Sequence, residues 1–557
     1  MKRLRSRGLG RAFLAVLLPA LMLASAAYPS ALAQDATPAA RPTDLTAVAP
    51  QSLTGERRAQ FEAYVADALL RYGVPGASIA VVQGGDVVYL NSFGVRTFGS
   101  TQPVTPDTLM MIGSVTKSMT TMLAATLVDD GRLTWDTRLV DLLPSFAVGD
   151  PELTQSLSVR DAFCNCAGMP GLDMQLFFES NSFTPEGVVT TLANVAPTAA
   201  VGERFLYNNL LIGAAGYAVG VAADGGAQDV ALAYDVALRE RVLGPIGMVR
   251  STFDPRAVLA DGDYAVPHAT DLSGTLQQVP LVAERSLLSV TPAGGLWSSA
   301  REMARYLQTE LADGIAPDGT RVVSAENLEM TWAPGVALPS SPALPPVLTE
   351  SQMNYGLGWN YGTYYGQRLI NHSGGTYGFA SEVAFLPEAD IGIVTLTNAR
   401  TPFAAFNYAV QFRLLELLFD QPSEIDGQLS ALLDAYEAAS GIAFGSFDAA
   451  ALAPYLGRYG SPELGVVSIS LRGDRLVLDA TELSSELRPL QSDGAGPTTY
   501  LFHDPPLSLI SEGNFGTVRF DGGDSQPRVL LSIPANPTGP ERIYVFESLA
   551  SDSTPTP

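Results

Sequence analysis

Basic residues other than arginine are scarce in this chain of 557 residues. It contains two lysines, Lys2 and Lys117, and three histidines, His268, His372 and His503, against 57 acidic side chains and a formal net charge of −24. Nucleic acids and anionic membrane surfaces are bound through clustered basic residues that release counterions, so this composition argues against both as partners. Without a His-Glu-x-x-His helix a catalytic zinc has no evident ligands, and no metal or cofactor is expected, although carboxylates alone could hold Ca²⁺ or Mg²⁺.

Cysteine is as scarce as lysine, with Cys164 and Cys166 alone. A single intervening residue is expected to strain a disulfide between them, and two thiols without a nearby histidine are too few for a zinc site. We therefore predict two small, buried side chains and leave their state of pairing open. No Gly-x-Ser-x-Gly nucleophile elbow stands out either, which argues against an α/β-hydrolase with a Ser-His-Asp triad.

Residues 1–33 have the pattern of a signal peptide: five basic side chains, an apolar run over 12–27 and the small-residue site Ala31-Leu32-Ala33. Cleavage would leave Gln34 first and lower the formal charge to −29, because the segment carries five basic and no acidic groups. An uncleaved membrane anchor is the alternative, disfavoured because the apolar run is short for a span. We expect export to a periplasm or the medium, with no stable membrane insertion after cleavage.

The length of the chain favours two folded domains. Residues 34–50 are rich in Ala, Pro and Thr and predict a flexible leader, 51–420 a larger domain, and 421–446 a linker with one short helical pattern. Short alternating runs over 447–549 predict a small all-β domain, in which Arg472-Gly473-Asp474 is a turn rather than an adhesion motif. Residues 550–557 are assigned to a disordered tail.

Within the larger domain the hydrophobic periodicity predicts alternating helices and hairpins. The predicted elements are a helix over 57–73, a hairpin turning at Gly84-Gly85, a buried helix over 116–127, helices over 230–242 and 300–311, and a hairpin over 381–398 that turns at 387–390.

Lys117 is the only lysine beyond the predicted signal peptide. Arginine cannot give up its proton in a protein, whereas a desolvated lysine can act as a base. Ser114 precedes Lys117 by three residues, which places the two side chains on one face of a helix. The pair has the composition of a nucleophile with its base.

Three short motifs carry a resemblance to a known family: Ser114-Val115-Thr116-Lys117, Tyr207-Asn208-Asn209 and His372-Ser373-Gly374. In type, order and spacing the chain resembles the serine β-lactamases and penicillin-binding proteins, and within them the class C-type enzymes. The resemblance covers about residues 56–415 and includes DDGRLTWDTRLVDLLP and TPAGGLWSSAREMARYL. It implies an α/β (α+β) fold with an antiparallel sheet flanked by helices plus a helical region, and the later β-rich part resembles small lipocalin-like domains.

The resemblance also implies roles for individual residues. Ser114 would form an acyl-enzyme, Lys117 and Tyr207 would share the proton transfers, and His372 would relay protons or hydrogen-bond beside them. The N–H groups of Ser114 and Gly375 would form the oxyanion hole. The residues expected to contact substrate are Asn209, Ser373 and Gly374.

Two departures from the family pattern bear on function. Where the family has Leu-Leu-Thr-His-Thr-Ser-Gly this chain has AFCNCAG at 162–168, and where lysine is common in the third motif it has His372. A neutral imidazole holds a carboxylate less firmly than an ammonium, which weakens the case for a dedicated β-lactamase. An esterase, a peptidase or amidase acting on D-amino acids or cell-wall peptides, and a β-lactamase all remain open, with small-molecule or peptide substrates. The rival from another class is a non-catalytic binding or scaffolding protein on the same fold.

Overall fold

The computed structural model describes residues 44–549, except 179–182, 227–228, 340–351, 402–403, 441, 482, 492–497, 515, 524–525 and 536–539. The predicted signal peptide, residues 34–43 of the predicted leader and the predicted tail lie outside the described residues. None of the described helices is long and apolar enough to cross a bilayer.

The larger domain is built on an eight-stranded sheet in which every neighbouring pair is antiparallel. Across the sheet the strands are β2 (Asp86–Gly94), β1 (Gly76–Gln83), β12 (Ile391–Thr397), β11 (Ala380–Leu386), β10 (Gln367–Gly375), β9 (Asn360–Tyr364), β8 (Asn354–Tyr355) and β7 (Val336–Ala337). A two-stranded sheet pairs β3 (Met110–Met111) with β6 (Trp297–Ser298). In a three-stranded sheet, β4 (His268–Thr270) lies between β13 (Ala399–Arg400) and β5 (Leu276–Gln278). The first hairpin therefore docks beside strands that come 300 residues later, which closes the domain.

Two hairpins of this sheet confirm predictions from turn chemistry. Gly84 and Gly85, with φ values of +63° and +77°, form the two-residue turn between β1 and β2, as expected where both central residues need a left-handed backbone. The predicted hairpin of 381–398 turns through Pro387–Ala389 and Asp390 between β11 and β12.

Helices cover both faces of the sheet. Those of the larger domain, with the one that follows it, are Gly55–Arg71, Thr116–Asp129, Leu139–Leu142, Pro151–Ser156, Val159–Phe163, Met174–Phe178, Pro185–Leu192, Asn209–Asp224, Val230–Leu238, Gly244–Ile246, Pro255–Asp261, Thr291–Gly294, Ala300–Leu311, Ala325–Trp332, Ala405–Leu418 and Ile425–Ser440. The helices predicted over 57–73, 230–242 and 300–311 are among them, and the second continues as a π-helical turn, Arg239–Leu243.

Separate hydrophobic cores lie on the two faces of the sheet. On one face Phe61, from the first helix, and Phe412, from Ala405–Leu418, pack with sheet residues. On the other face Leu307, from Ala300–Leu311, packs with the helical region. Burying one such side chain contributes about 1.5–3 kcal/mol, so both layers stabilise the sheet that carries β10.

The helix Thr116–Asp129 runs through the second core and is buried along almost all of its length, as predicted. Buried hydroxyls on such a helix need hydrogen-bond partners. The hydroxyls of Ser118 and Thr121 donate to backbone oxygens one turn earlier, at 2.8 and 3.0 Å.

The small all-β domain predicted at the end of the chain is a closed barrel of eight strands. They are β14 (Gly457–Ser461), β15 (Gly465–Arg472), β16 (Arg475–Ala480), β17 (Leu483–Pro489), β18 (Tyr500–Phe502), β19 (Thr517–Asp521), β20 (Arg528–Ile533) and β21 (Arg542–Ser548). Pairing of β14 with β21 closes the ring, and the short helices Ala449–Leu452 and Ser508–Asn514 accompany it. Arg472-Gly473-Asp474 forms the predicted turn, with Gly473 at φ +67°.

The hydrophobic core of the barrel includes side chains of the larger domain, among them Phe178 and Tyr377. Phe178, at the end of the helix Met174–Phe178, is 1% exposed and lies 6.3 Å from the ring of Phe502 and 5.8 Å from that of Phe546. A polar contact accompanies it, since His503 Nε2 lies 2.9 Å from Ser273 Oγ. The short helix that ends at Phe178 thus connects the two domains.

The contacts at the predicted domain boundaries refine where order begins and ends. The predicted flexible leader includes Leu45, but this residue is 2% exposed and its N–H donates to Tyr365 O at 2.8 Å. Among the described residues, Leu45 is therefore already part of the larger domain. In the segment assigned to a linker, Ile425–Ser440 is helical and Ile425 packs into the core beside Ala405–Leu418.

The argument against a disulfide between the two cysteines is wrong. Cys164 and Cys166 form a disulfide with their Cα atoms 5.1 Å apart, within the range that a disulfide spans. The intervening Asn165 has φ +52°, a left-handed conformation that asparagine tolerates better than most residues and that brings its neighbours together. The prediction that both cysteines are buried is confirmed, at 4% and 9% exposure.

Candidate active site

Ser114 lies in a 3₁₀ turn, Gly113–Val115, that leads into the helix Thr116–Asp129. Gly113 has φ +52°, which suits a residue without a Cβ. Lys117 follows in the first helical turn, and the three-residue spacing turns both side chains to one side. The distance from Lys117 Nζ to Ser114 Oγ is 3.0 Å.

The amine of Lys117 is completely buried, at 0% exposure. Besides Ser114, Nζ contacts Asn209 Oδ1 at 2.7 Å and Ala293 O at 2.5 Å. Burial lowers the pKa of Lys117 to about 7, opposed by the Asp173 carboxylate. In the neutral amine, two N–H groups match the two carbonyl oxygens and the lone pair is left for the Ser114 hydroxyl. The geometry and the pKa together provide a base near neutral pH.

The second motif lies at the start of the helix Asn209–Asp224. Asn208 caps this helix, accepting the Leu211 N–H at 2.8 Å, the usual role of asparagine at this position. The cap fixes the preceding Tyr207, whose hydroxyl donates to Ser114 Oγ at 2.7 Å. Burial raises the pKa of Tyr207, so its phenol is neutral at physiological pH.

Both polar atoms of the Asn209 side chain are engaged. Oδ1 accepts from Lys117, and Nδ2 donates to Asp173 Oδ1 at 2.9 Å. Burial raises the pKa of Asp173, while the bond from Asn209 and the charge of Lys117 oppose that change. Asp173 thus joins the network although no sequence motif marks it, since only the folded chain brings it beside Asn209.

The third motif lies on β10, at the point where this strand loses one neighbour. Among the described residues β10 pairs with β9 only as far as Asn371, opposite Asn360, so 372–375 form a free edge. A Cβ atom placed on Gly113 would lie 2.7 Å from Gly375 N. The structure therefore brings the Gly375 amide to the turn that carries Ser114, as the oxyanion-hole prediction requires.

Position 374 requires glycine because of close packing in the folded chain, and not because a substrate has to approach there. A Cβ at this position would collide with Ile112 O and with the Ser381 hydroxyl, and that hydroxyl itself donates to Ile112 O at 2.7 Å. The strand can approach the Ser114 turn this closely only with glycine here. Ser373, between His372 and Gly374, is partly exposed.

His372 is buried and its two ring nitrogens are engaged. Nε2 lies 3.0 Å from the Tyr355 hydroxyl and Nδ1 lies 2.6 Å from Ser373 O, which fits a neutral ring protonated on Nδ1. Burial, reinforced by Lys117, lowers the pKa of His372 to about 3. Within the described part of the chain no hydrogen bond joins His372 to Lys117 or Tyr207, and the ring bonds Tyr355 and the Ser373 backbone instead.

A buried carboxylate supports the loop that follows Gly375. Glu284, which the sequence analysis did not select, accepts the Thr376 hydroxyl at 2.8 Å and the Gly378 N–H at 3.0 Å. Burial raises its pKa to about 7, although these hydrogen bonds oppose the change. Arg400 donates to Thr376 O at 2.8 Å, and this hydrogen bond also restrains the loop.

The remaining histidines lie in structural contacts. His268 accepts the Phe98 N–H at 3.1 Å. His503 belongs to a barrel cluster with Glu486 and Asp504 whose possible ligand atoms lie within 4.8 Å of one another. Arg475 donates to Glu486 at 2.8 Å and to Asp504 at 2.9 Å, so these carboxylates are already balanced by a cation.

The fold and the three motifs are those of the β-lactamase and penicillin-binding protein family. The Beta-lactamase family profile matches residues 58–417, and the chain belongs to this family.

Several named proteins are similar to this chain in sequence. Penicillin-binding protein 4 of Amycolatopsis lactamdurans is 30% identical over 327 residues, covering 58% of this chain and 81% of that protein. A β-lactamase of Pseudomonas fluorescens is 26% identical, over 59% of this chain and 90% of the enzyme. An unguisins hydrolase of Aspergillus campestris is 28% identical, over 63% of this chain and 62% of its own length, so the similarity spans about three-fifths of that protein.

Solved structures show the same fold. The octameric penicillin-binding protein homologue of Pyrococcus abyssi superposes with a TM-score of 0.57 at 22% identity, covering 88% of this chain and 99% of that one. The D-alanine carboxypeptidase AmpC of Burkholderia cenocepacia has a TM-score of 0.50 at 22% identity, covering 65% and 98%. The predicted α/β (α+β) architecture is confirmed.

Proposed function

We propose that this protein is an exported serine hydrolase that cleaves ester or amide bonds through an acyl-enzyme on Ser114. The observation that carries the proposal is the 3.0 Å contact between Ser114 Oγ and Nζ of Lys117, whose pKa burial lowers to about 7. A serine beside a base that is substantially neutral at physiological pH is an activated nucleophile.

In the acylation step the Ser114 hydroxyl loses its proton to the Lys117 amine, and Oγ bonds to the carbonyl carbon of the substrate. Tyr207, whose neutral hydroxyl donates to Oγ at 2.7 Å, keeps the serine oriented. The tetrahedral intermediate then expels an alcohol or amine, which takes a proton from the Tyr207 hydroxyl as that hydroxyl recovers one from the Lys117 ammonium.

The negative charge of the intermediate falls on the former carbonyl oxygen. The N–H groups of Ser114 and Gly375 stabilise it, a contribution that is often the largest single one in acyl transfer. Water then attacks the acyl-enzyme with the same base accepting its proton, which releases the acid and restores the Ser114 hydroxyl. Asn209 fixes the Lys117 amine, and the partly exposed Ser373 is the third-motif side chain left to contact the substrate.

We favour an ester or a peptide over a β-lactam as substrate. The neutral, engaged ring of His372 offers a substrate carboxylate less than a lysine ammonium would. The names of the relatives, a penicillin-binding protein, a β-lactamase and an unguisins hydrolase, do not point to one common substrate. The pattern of residues 1–33 and the relatives' type support export by a cleaved signal peptide.

The proposal is tested by intact-mass analysis of the mature protein after incubation with a fluorophosphonate and, separately, with a penicillin. We expect a mass increase from the fluorophosphonate in the wild type and none in Ser114→Ala. Ser118→Ala is the matched control. Ser118 lies buried in the helix that follows the Ser114 turn, and its hydroxyl bonds Val115 O and the Tyr306 hydroxyl. This variant should still be labelled.

The penicillin experiment separates the substrate classes. Absent or slow labelling, without turnover, supports the ester or peptide assignment, whereas rapid turnover contradicts it in favour of a β-lactamase. No labelling of folded protein by either reagent contradicts the enzyme proposal and supports the non-catalytic binding protein instead.

A further inference from the structure

One residue outside the three motifs holds both neighbours of Tyr207. The backbone oxygen of Asn165 accepts the Leu206 N–H at 2.7 Å, and its side-chain Oδ1 accepts the Asn208 N–H at 3.0 Å. The backbone N–H groups of the two residues that flank Tyr207 therefore both donate to Asn165. Tyr207 has little freedom to move its hydroxyl away from Ser114 while both bonds are made.

Asn165 is itself fixed in an unusual conformation. It is 2% exposed and has φ +52°, and the disulfide between Cys164 and Cys166 joins the residues on either side of it. Cys166 O also accepts the Gly202 N–H at 2.8 Å, which anchors the far end of this short loop. The covalent link restrains the one backbone conformation from which Asn165 reaches Leu206 and Asn208.

The same side chain adjoins the third motif. Asn165 lies close enough to the Tyr355 hydroxyl to lower the pKa of Tyr355 against the stronger raising effect of burial, and that hydroxyl contacts His372 Nε2 at 3.0 Å. The rings of Tyr355 and Phe205 lie 5.3 Å apart. Asn165 thus lies where the supports of the second and third motifs meet.

We propose that Asn165, restrained by the Cys164–Cys166 disulfide, is a positioning residue that holds the Tyr207 hydroxyl on Ser114. The inference rests on the proposed function, and it assigns a purpose to the stretch AFCNCAG that departs from the family pattern. Asn165 touches no reacting atom, so its effect is expected on the rate of acylation rather than on the affinity for the acylating reagent.

The test compares Asn165→Gly with Asn165→Asp. Glycine keeps the left-handed backbone and the bond from Leu206 but removes the acceptor for Asn208, whereas aspartate keeps that acceptor. For fluorophosphonate labelling we expect the maximal rate of Asn165→Gly to fall about tenfold with an unchanged half-saturation concentration. Asn165→Asp should recover most of this loss. Asp313→Gly, at an exposed left-handed position away from the site, should label like the wild type.

A wild-type rate in Asn165→Gly, or equal losses in the glycine and aspartate variants, would overturn the proposal. The disulfide is tested by Cys164→Ala/Cys166→Ala, which should lower the maximal rate in the same way, and a folded double variant with wild-type labelling contradicts the restraining role.

Crystal structures provide a readout that does not depend on activity. In Asn165→Gly the distance from the Tyr207 hydroxyl to Ser114 Oγ should exceed hydrogen-bonding range, against 2.7 Å in the wild type. An unmoved Tyr207 overturns the inference even if the enzyme proposal stands. Failure of the enzyme proposal is recognised separately, by a wild type that labels no better than Ser114→Ala.

Discussion

The only amine in the described part of the chain, Nζ of Lys117, lies 3.0 Å from the hydroxyl oxygen of Ser114 and is shielded from solvent. An arginine would provide charge and donors at this position but no lone pair at any accessible pH. Besides Lys2 and Lys117, the cationic side chains of the Lys and Arg type are all arginines, 31 in number. Lys117 stands at the position where a proton has to be accepted.

Lys117→Arg is therefore expected to lower the rate of fluorophosphonate labelling by at least about 10²-fold, the usual contribution of a positioned base. Lys117→Met, which removes the amine without enlarging the side chain, should show a similar loss. Arg138→Lys, at an exposed ion pair with Asp141, is the control for exchanging the two cations. Wild-type labelling by folded Lys117→Arg would rule out the amine as the base.

The rate of labelling should depend on the protonation state of Lys117. Its pKa is lowered to about 7 by burial and only the neutral amine can accept the proton, so the rate should rise with pH through about 7 and then level off. Removing the opposing charge with Asp173→Asn should move the inflection to lower pH. The measurement is the labelling rate constant from about pH 5 to 9.

Two other groups near the site bear on this profile. His372, with a pKa of about 3, stays neutral across the range. Glu284 has a pKa of about 7, so Glu284→Gln is the control in which the inflection should persist. A flat profile in the wild type, or an inflection that disappears in Glu284→Gln, would contradict the assignment to Lys117.

The local features of this fold could be read from the sequence because they depend on short-range chemistry. Gly84-Gly85 specifies a tight hairpin wherever the strands go, and the apolar spacing of 300–311 gave the bounds of a helix that the structure confirms. The three motifs were identified for a similar reason, since their residue types at fixed offsets are tied to one reaction chemistry.

Features that depend on distant parts of the chain could not be read in this way. Asp173 reaches Asn209 only after the helical region has folded, and Phe178 enters the barrel from a segment with no distinguishing pattern. The disulfide was missed because it depends on the left-handed backbone of Asn165, a conformation that the sequence permits but does not impose.

Gly374→Ala is expected to impair the oxyanion hole without changing a functional group. The added methyl would collide with Ile112 O, so β10 has to move away from the Ser114 turn and carry the Gly375 amide with it. Loss of one oxyanion donor typically costs about 10²-fold or more in rate, and overpacking costs about 1–3 kcal/mol of stability. Labelling kinetics and thermal unfolding measure the two effects.

Gly427→Ala is the matched control, because a Cβ there meets open space within the helix Ile425–Ser440. It should label like the wild type and be equally or slightly more stable. If Gly374→Ala labels at the rate of Gly427→Ala, the close approach of β10 to the Ser114 turn is not needed for acylation.

The strand beside β10 carries a buried acid whose charge should oppose folding. Glu382 on β11 is 1% exposed, and its Oε1 accepts the Asn371 amide at 2.8 Å, while Oε2 has no partner among the described residues. Burial raises the pKa of Glu382 to about 8 from a usual 4.5, although the bond from Asn371 opposes the change. Between these values the folded state holds a proton that the unfolded state has released, so its contribution to stability is lost as pH rises.

Glu382→Gln removes this pH dependence because its side chain stays neutral. The variant should resemble the wild type near pH 4 and become progressively more stable than it between about pH 4.5 and 8, by up to a few kcal/mol. Thermal unfolding across this range measures the difference, and Glu388→Gln, at the exposed turn of the same hairpin, is the control that should show no such trend. The contradicting outcome is a Glu382→Gln variant that is less stable than the wild type by the same amount at every pH. The carboxyl group would then be needed for its packing and hydrogen bond, and its ionisation would not limit stability.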